Sequence, residues 1–227
     1  MQTNIIITSV DNSPHYMQGL LVFLASIKTN SPQSKVRIYL INCTEKYGQS
    51  LYFVNSNIEI KHITSNEQSA HIRNHLRHGF LLETTKDYNA IAWIDNDTII
   101  RKSLDGLWEN LTPETLKFWF RKDERDALKF QGGVYVIGNS EVIKEWLKDI
   151  IAALDKYNKT KKDNKNDWYI AQEYMYLMYK NNKRIRFVNL DTKFNDSKFN
   201  DDSVIWHCKH THFNFPKYQV EYKSYGY

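Results

Sequence analysis

Between Ala90 and Ile100 the chain reads Ala-Ile-Ala-Trp-Ile-Asp-Asn-Asp-Thr-Ile-Ile. This is a run apolar enough for a buried strand, stopped by two carboxylates and resumed at once. Ionised carboxylates are costly to bury unless they are paired or bind a cation. A surface turn capping a strand would account for Asp and Asn by themselves, but not for apolar residues on both sides of them. In extended backbone Asp95 and Asp97 leave the same face, roughly 6–7 Å apart, which lets both reach one ion directly or through water. Hard oxygen ligands suit Mn²⁺ or Mg²⁺, which keep positions open for water and phosphate oxygens. The pattern predicts a metal-dependent enzyme acting on a diphosphate compound, with the acidic pair at the carboxyl end of a strand.

The segments around the pair fix the fold class. Asn4 to Val10 reads as a first buried strand, and Asp11 to Pro14 carries turn residues. Met17, Leu20, Leu21, Leu24 and Ile27 give Tyr16 to Lys28 the spacing of a helix. Strands come next at Val36 to Ile41 and Ile58 to Ile63, with a short helix around Gln49 to Val54 between them. Ser69 to Thr85 is a helix that leads into the strand Ala90 to Ile94. Such alternation predicts an α/β domain with a Rossmann-like, mostly parallel sheet flanked by helices. Later come strands at Leu116 to Phe120 and Gly133 to Ile137 and a helix over Glu141 to Asp155. A lysine-rich loop then runs from Asp155 to Asp167, succeeded by a helix over Trp168 to Lys180 and strands at Arg184 to Val188 and Val204 to His207. The tail from Thr211 shows no periodicity.

A chain of 227 residues is long enough for one sizeable core, so residues 1–227 are expected to form a single domain. The net charge of +5 favours anionic partners, but the lysines and arginines form no stripe of the kind that binds nucleic acid. Two cysteines, Cys43 and Cys208, do not make a disulfide framework. Met1 leads straight into a polar strand start, and no apolar run approaches a membrane span. A cytoplasmic protein without a membrane span is expected.

Other residues add to the acidic pair. Arg73 and Arg77 stand at i and i+4 of the helix before it, hence on one face, and guanidinium groups match phosphate oxygens bidentately. His71 and His75 share that spacing, but no His-Glu-x-x-His arrangement accompanies them, which sets zinc aside. Gly132 and Gly133 open an apolar strand, where absent side chains allow close approach to the backbone. No Gly-x-Gly-x-x-Gly or Walker-type loop is present, which weighs against a dinucleotide oxidoreductase or a P-loop kinase.

The ordered set of the arginine-bearing helix, Trp93-Ile94-Asp95-Asn96-Asp97-Thr98, the Gly132-Gly133 strand, Gln172-Glu173 and Trp206-His207 resembles the DXD-containing glycosyltransferases of the GT-A fold, and most closely their family 8-like members. The resemblance implies transfer of a sugar from a nucleotide-sugar, most readily a UDP-sugar, to a hydroxyl of a saccharide or other acceptor. It implies a nucleotide-binding half at residues 1–100 and an acceptor-binding half at residues 101–227, with Mn²⁺ or Mg²⁺ on Asp95, Asp97 and His207. It further implies donor contacts from Thr8, Ser9, Val10, Arg73, Arg77, Asp95, Asn96, Gly132, Gly133 and Lys209. Gln172 and Glu173 would be the catalytic pair. In an inverting enzyme Glu173 would deprotonate the acceptor; in a retaining one, towards which the reading leans, Gln172 or Glu173 would stabilise an oxocarbenium-like transition state. The chain departs from the family 8 pattern His-x-x-Gly-x-x-Lys, because His210 and Phe213 stand where Gly and Lys belong.

Two other functions fit parts of the pattern. A sugar nucleotidyltransferase would use the acidic pair on a nucleoside triphosphate, but Val10 to Pro14 lacks the glycine-rich basic loop it needs. A non-catalytic carbohydrate-binding protein would stack sugars on some of the 15 tyrosines and 6 tryptophans and hold a structural Ca²⁺ on the acids.

Overall fold

The computed structural model describes residues 2–66, 71–160, 169–207 and 216–226, with the side chains of residues 2–3 and 71–75 left aside. Nine strands are described, seven of them in one mixed α/β sheet. By their internal contacts the residues divide into two units. One, the β1 unit, comprises Ile5–Ser65, Ile94–Glu109 and Asp191–Tyr227. The other, the β7 unit, comprises Met1–Asn4, Asn66–Trp93 and Asn110–Leu190.

In the β1 unit, β1 (Gln2–Asp11, less its first three residues) pairs in parallel with β2 (Val36–Ile41), and β2 with β3 (Ile58–Ile63). The apolar side chains of β1 and β2 are buried on both faces, which is why those strands read as continuous rather than alternating apolar runs. At the end of the row, β3 is buried at Ile58 and open at Lys61 and His62, and its Glu59 pairs with Arg37 and Lys35. Helix α1 (Pro14–Asn30) begins two residues earlier than its apolar spacing suggests, because proline is tolerated where the amide would have no partner. It buries Leu20, Phe23, Leu24 and Ile27, each contributing about 1.5–3 kcal/mol. Helix α2 (Glu45–Val54) is longer than expected. Its extra turn is capped by Thr44, whose side chain accepts from the Tyr47 amide at 3.2 Å.

The β7 unit contains α3 (His71–Thr84), β4 (Tyr88–Ile94, less its last residue), β6 (Thr115–Phe120), the short α4 (Asp126–Lys129), β7 (Phe130–Gly138), α5 (Glu141–Thr160), α6 (Ile170–Asn181) and β8 (Arg186–Asn189). Its strands lie in the order β4-β7-β6-β8. The β6–β7 pairing is antiparallel and irregular between Phe118 and Phe120, while β6 and β8 are parallel. Phe118 stacks between Phe130 and Tyr135, with ring centroids 4.5 Å from each. Helix α5 buries Ile143, Trp146, Leu147, Ile150 and Leu154, one face of a helix, and the Trp146 indole donates to the Met175 carbonyl of α6 at 3.3 Å.

Three expectations need correction. The lysine-rich loop does not start at Asp155: helix α5 continues to Thr160, since Leu154 still buries and the charged residues after it solvate the last turn. Residues 161–167 of that expected loop lie outside the described residues. The aperiodic tail contains a helix, α7 (Pro216–Ser224), of which only Tyr218 and Tyr222 are buried. Immediately after the acidic pair the chain forms a further strand, β5 (Thr98–Ile100), antiparallel to β9 (Ile205–His207) in a separate two-stranded sheet. Val22, Ile99, Trp206, Tyr218 and Tyr222 form the cluster that carries this ladder.

Candidate active site

At the end of β4 the chain makes a tight turn through Asp95, Asn96 and Asp97 before entering β5. Two hydrogen bonds fix the turn: the Thr98 hydroxyl donates to the Asp95 carbonyl at 2.8 Å, and the Asn96 amide donates to the Ser9 carbonyl at 3.2 Å. The β5–β9 ladder then sets Thr98 opposite His207. The result brings one donor atom from each of Asp95, Asp97 and His207 within 4.8 Å of the others. The imidazole Nε2 is 3.7 Å from an Asp95 oxygen and 3.2 Å from an Asp97 oxygen. The Asp97 and His207 side chains are 11% and 10% exposed, whereas Asp95 is 32% exposed. Two carboxylates and an imidazole are a donor set that suits Mn²⁺ and, less fully, Mg²⁺, and the more open Asp95 leaves the corner accessible from solvent.

The imidazole is held from behind. Its Nδ1 lies 3.0 Å from the Asn195 amide oxygen, and Asn195 is 1% exposed. The next residue, Asp196, is bridged to β9 by two backbone bonds: its amide donates to the Ile205 carbonyl at 3.0 Å, and its carbonyl accepts from the His207 amide at 2.8 Å. The buried Asp196 carboxylate accepts from the Lys198 and Asn200 amides at 2.8 and 2.6 Å and from the Asn200 side chain at 3.0 Å. Phe199, inside that loop, has φ of +61°, a left-handed conformation that a bulky side chain adopts only when its surroundings impose it. The Arg101 guanidinium lies 4.0 Å from the centre of its ring, which packs edge-to-face with Trp206, ring centroids 4.5 Å apart. Sequence reasoning missed Asn195 and Asp196; their only signal was an Asn-Asp pair in a turn-rich stretch.

Thr8, Ser9 and Val10 lie near the carboxyl end of β1, all buried. The Thr8 and Ser9 hydroxyls have no hydrogen-bond partner among the described residues, which is unusual for buried polar groups. Elsewhere in the β1 unit, burial and the Asp11 carboxylate push the Cys43 thiol up to about 11.

Within the β7 unit a second polar group forms. Arg77 of α3 is 3% exposed and donates to the Gly132 carbonyl at 3.2 Å. The Gly132 amide in turn donates to the Gln172 side-chain oxygen of α6 at 3.0 Å. A Cβ on Gly132 would meet Gln172 at 3.1 Å and Arg77 at 3.2 Å. Close backbone approach is therefore what this glycine permits, and the approaching groups are the protein's own side chains. Gly133 is buried beside it. Glu173, half-buried, lines a cavity of about 300 Å³ with Arg125, Ala127, Tyr157, Tyr169 and Ile170, where Arg125 sits 5.9 Å over the Tyr169 ring. The side chain of Arg73, and all of Lys209, lie outside the described residues.

No protein-family model matches the sequence, and no curated protein matches it. Solved structures do match. An active-site mutant of LgtC aligns over 98% of this chain and 96% of its own, at 15% identity and a TM-score of 0.65. The chain has the GT-A fold. The glycosyltransferase GlyE of Streptococcus pneumoniae TIGR4 shares it over the whole of this chain, at 13% identity and a TM-score of 0.69. So does the bifunctional glycosyltransferase WbbM, over 99% of this chain, at 14% identity and a TM-score of 0.61. This GT-A chain spans 61% of the GlyE chain and 44% of the WbbM chain. Among the described residues no helix is long and apolar enough to cross a membrane.

Proposed function

We propose that residues 1–227 form one metal-dependent glycosyltransferase domain, which moves a sugar from a UDP-sugar to a hydroxyl of a saccharide or other acceptor in the cytoplasm. The convergence of Asp95, Asp97 and His207 within 4.8 Å carries the reading, and the GT-A fold agrees with it. Asp95, Asp97 and His207 would hold Mn²⁺, or Mg²⁺ in its place. Bound there, the ion supplies Lewis-acid neutralisation of the departing nucleoside diphosphate.

The chain's own residues account for the rest. Thr8 and Ser9, whose buried hydroxyls have no partner among the described residues, would receive the base and ribose beside Val10, with Asn96 and Asp95 at the ribose. Arg73 and Lys209 would meet phosphate oxygens. Arg77 would serve the donor by holding Gly132, next to Gly133, along the sugar. Gln172 is an amide and cannot act as a base near neutral pH, so its role at the reacting carbon is electrostatic. That favours retention of configuration. Glu173, in the cavity with Arg125, would meet the acceptor; in an inverting reaction it would be the base.

The test is incubation of the purified protein with UDP-glucose, UDP-galactose or GDP-mannose, with Mn²⁺ or with EDTA. Release of UDP that EDTA abolishes is the expected result. Exchange of pyrophosphate into a sugar nucleotide would replace this reading with a nucleotidyltransferase. Calcium-dependent saccharide binding without turnover would replace it with a non-catalytic carbohydrate binder.

A further inference from the structure

We propose that Asn195 is a positioning residue that fixes the His207 imidazole in the tautomer protonated at Nδ1, so that Nε2 is the nitrogen offered to a cation between Asp95 and Asp97. The inference rests on the reading of that corner as a metal site and adds to it the device that keeps the histidine competent. An amide oxygen accepts hydrogen bonds and cannot donate one. With Asn195 Oδ1 3.0 Å from Nδ1, the proton belongs on Nδ1. The opposite tautomer would place a proton on Nε2, 3.2 Å from Asp97, and close that nitrogen to a metal. Partners behind a ligating histidine commonly set its tautomer and orientation in this way.

The surroundings of Asn195 are built for position. The backbone bonds of Asp196 to Ile205 and His207 lock residue 195 to the strand that carries the imidazole. The Asp196 carboxylate holds the adjoining loop through Lys198 and Asn200, and Phe199 keeps its left-handed backbone within it. The Asn195 amide nitrogen has no hydrogen-bond partner among the described residues. Its oxygen is thus the functional end of the side chain, and an aspartate in its place would retain the acceptor.

Two measurements test the proposal on metal-free protein. Mn²⁺ titration monitored by electron paramagnetic resonance compares the parent with N195A and N195D. We expect N195A to bind Mn²⁺ about 10–100-fold more weakly and N195D to bind as tightly as the parent or more tightly. Equal affinity of N195A and the parent would overturn the inference while leaving the metal site in place. Failure of the parent to bind Mn²⁺ would overturn the metal reading and the inference with it. The second measurement holds even if N195A fails to fold: long-range ¹H–¹⁵N spectra of the parent at pH 8.5, with the His207 signals assigned by H207Q. A proton on Nδ1 supports the proposal, and a proton on Nε2 overturns it.

Discussion

The acidic corner of the β1 unit, partly open at Asp95, and the buried Arg77–Gly132–Gln172 group of the β7 unit are both polar, yet they are built on opposite principles. In the second, two hydrogen bonds link the members, arginine Nη1 to the Gly132 carbonyl and the Gly132 amide to the glutamine oxygen. In the first, two carboxylates and the Nε2 of a histidine face inward on one point, an arrangement that repels itself unless a cation or a proton joins it. Cys43, in the same β1 unit, is a potential anion that combines burial with a nearby carboxylate, and its thiol holds its proton, with a pKa pushed up to about 11. One group is held by hydrogen bonds between its own members, while the other gathers two carboxylates and an imidazole in a set that could hold a cation.

That contrast can be broken most directly at Asp97. Asp97→Ala should reduce Mn²⁺-dependent UDP release by about 100-fold or more, in keeping with the loss of a main electrostatic stabiliser, and should weaken Mn²⁺ binding in parallel. Transfer at the parent rate would show that the corner does not serve the reaction. Next in size is Arg77→Met, which removes the charged partner of the Gly132 carbonyl. Unfolding by urea should show a loss of about 1.5–3 kcal/mol, and kcat should fall about tenfold, equivalent to about 1.4 kcal/mol in the barrier, with Mn²⁺ affinity unchanged. A change in Mn²⁺ affinity there would erase the distinction between the two groups. The smallest effect is at Cys43. Its pKa is raised from an ordinary 9.0 to about 11, so it favours folding below pH 9 and that contribution is lost as pH rises through 11. Alkylation by iodoacetamide, located by mass spectrometry, should be slow at pH 7.5; fast labelling there would deny the thiol its burial.

Much of the fold is readable from periodicity because the elements that matter are long or doubly buried. The strands β1, β2 and β4 are visible as apolar runs and α1 by its spacing, each a local pattern with one buried solution. The acidic pair is visible for the reverse reason, since charge inside such a run demands an account. The features that stay hidden depend on distant partners. Strand β5 is three residues long and exists because β9 lies beside it. Helix α7 buries two tyrosines in nine residues, too few to register as an amphipathic face. Asn195 looks like any turn residue until the loop folds back on His207. Arg77 is recognisable in the sequence as a guanidinium suited to phosphate, but its bond to the Gly132 carbonyl cannot be foreseen, because backbone acceptors leave no mark in a sequence.

The β5–β9 ladder also has a consequence in time. It joins residues 98–100 to residues 205–207, a pairing between segments far apart in the chain, and contacts of that span form late. During synthesis the acidic pair leaves the ribosome long before the histidine that joins it. A nascent chain at that stage holds two like charges without the imidazole that later joins them, so the three-residue cluster is complete only once translation has passed residue 207.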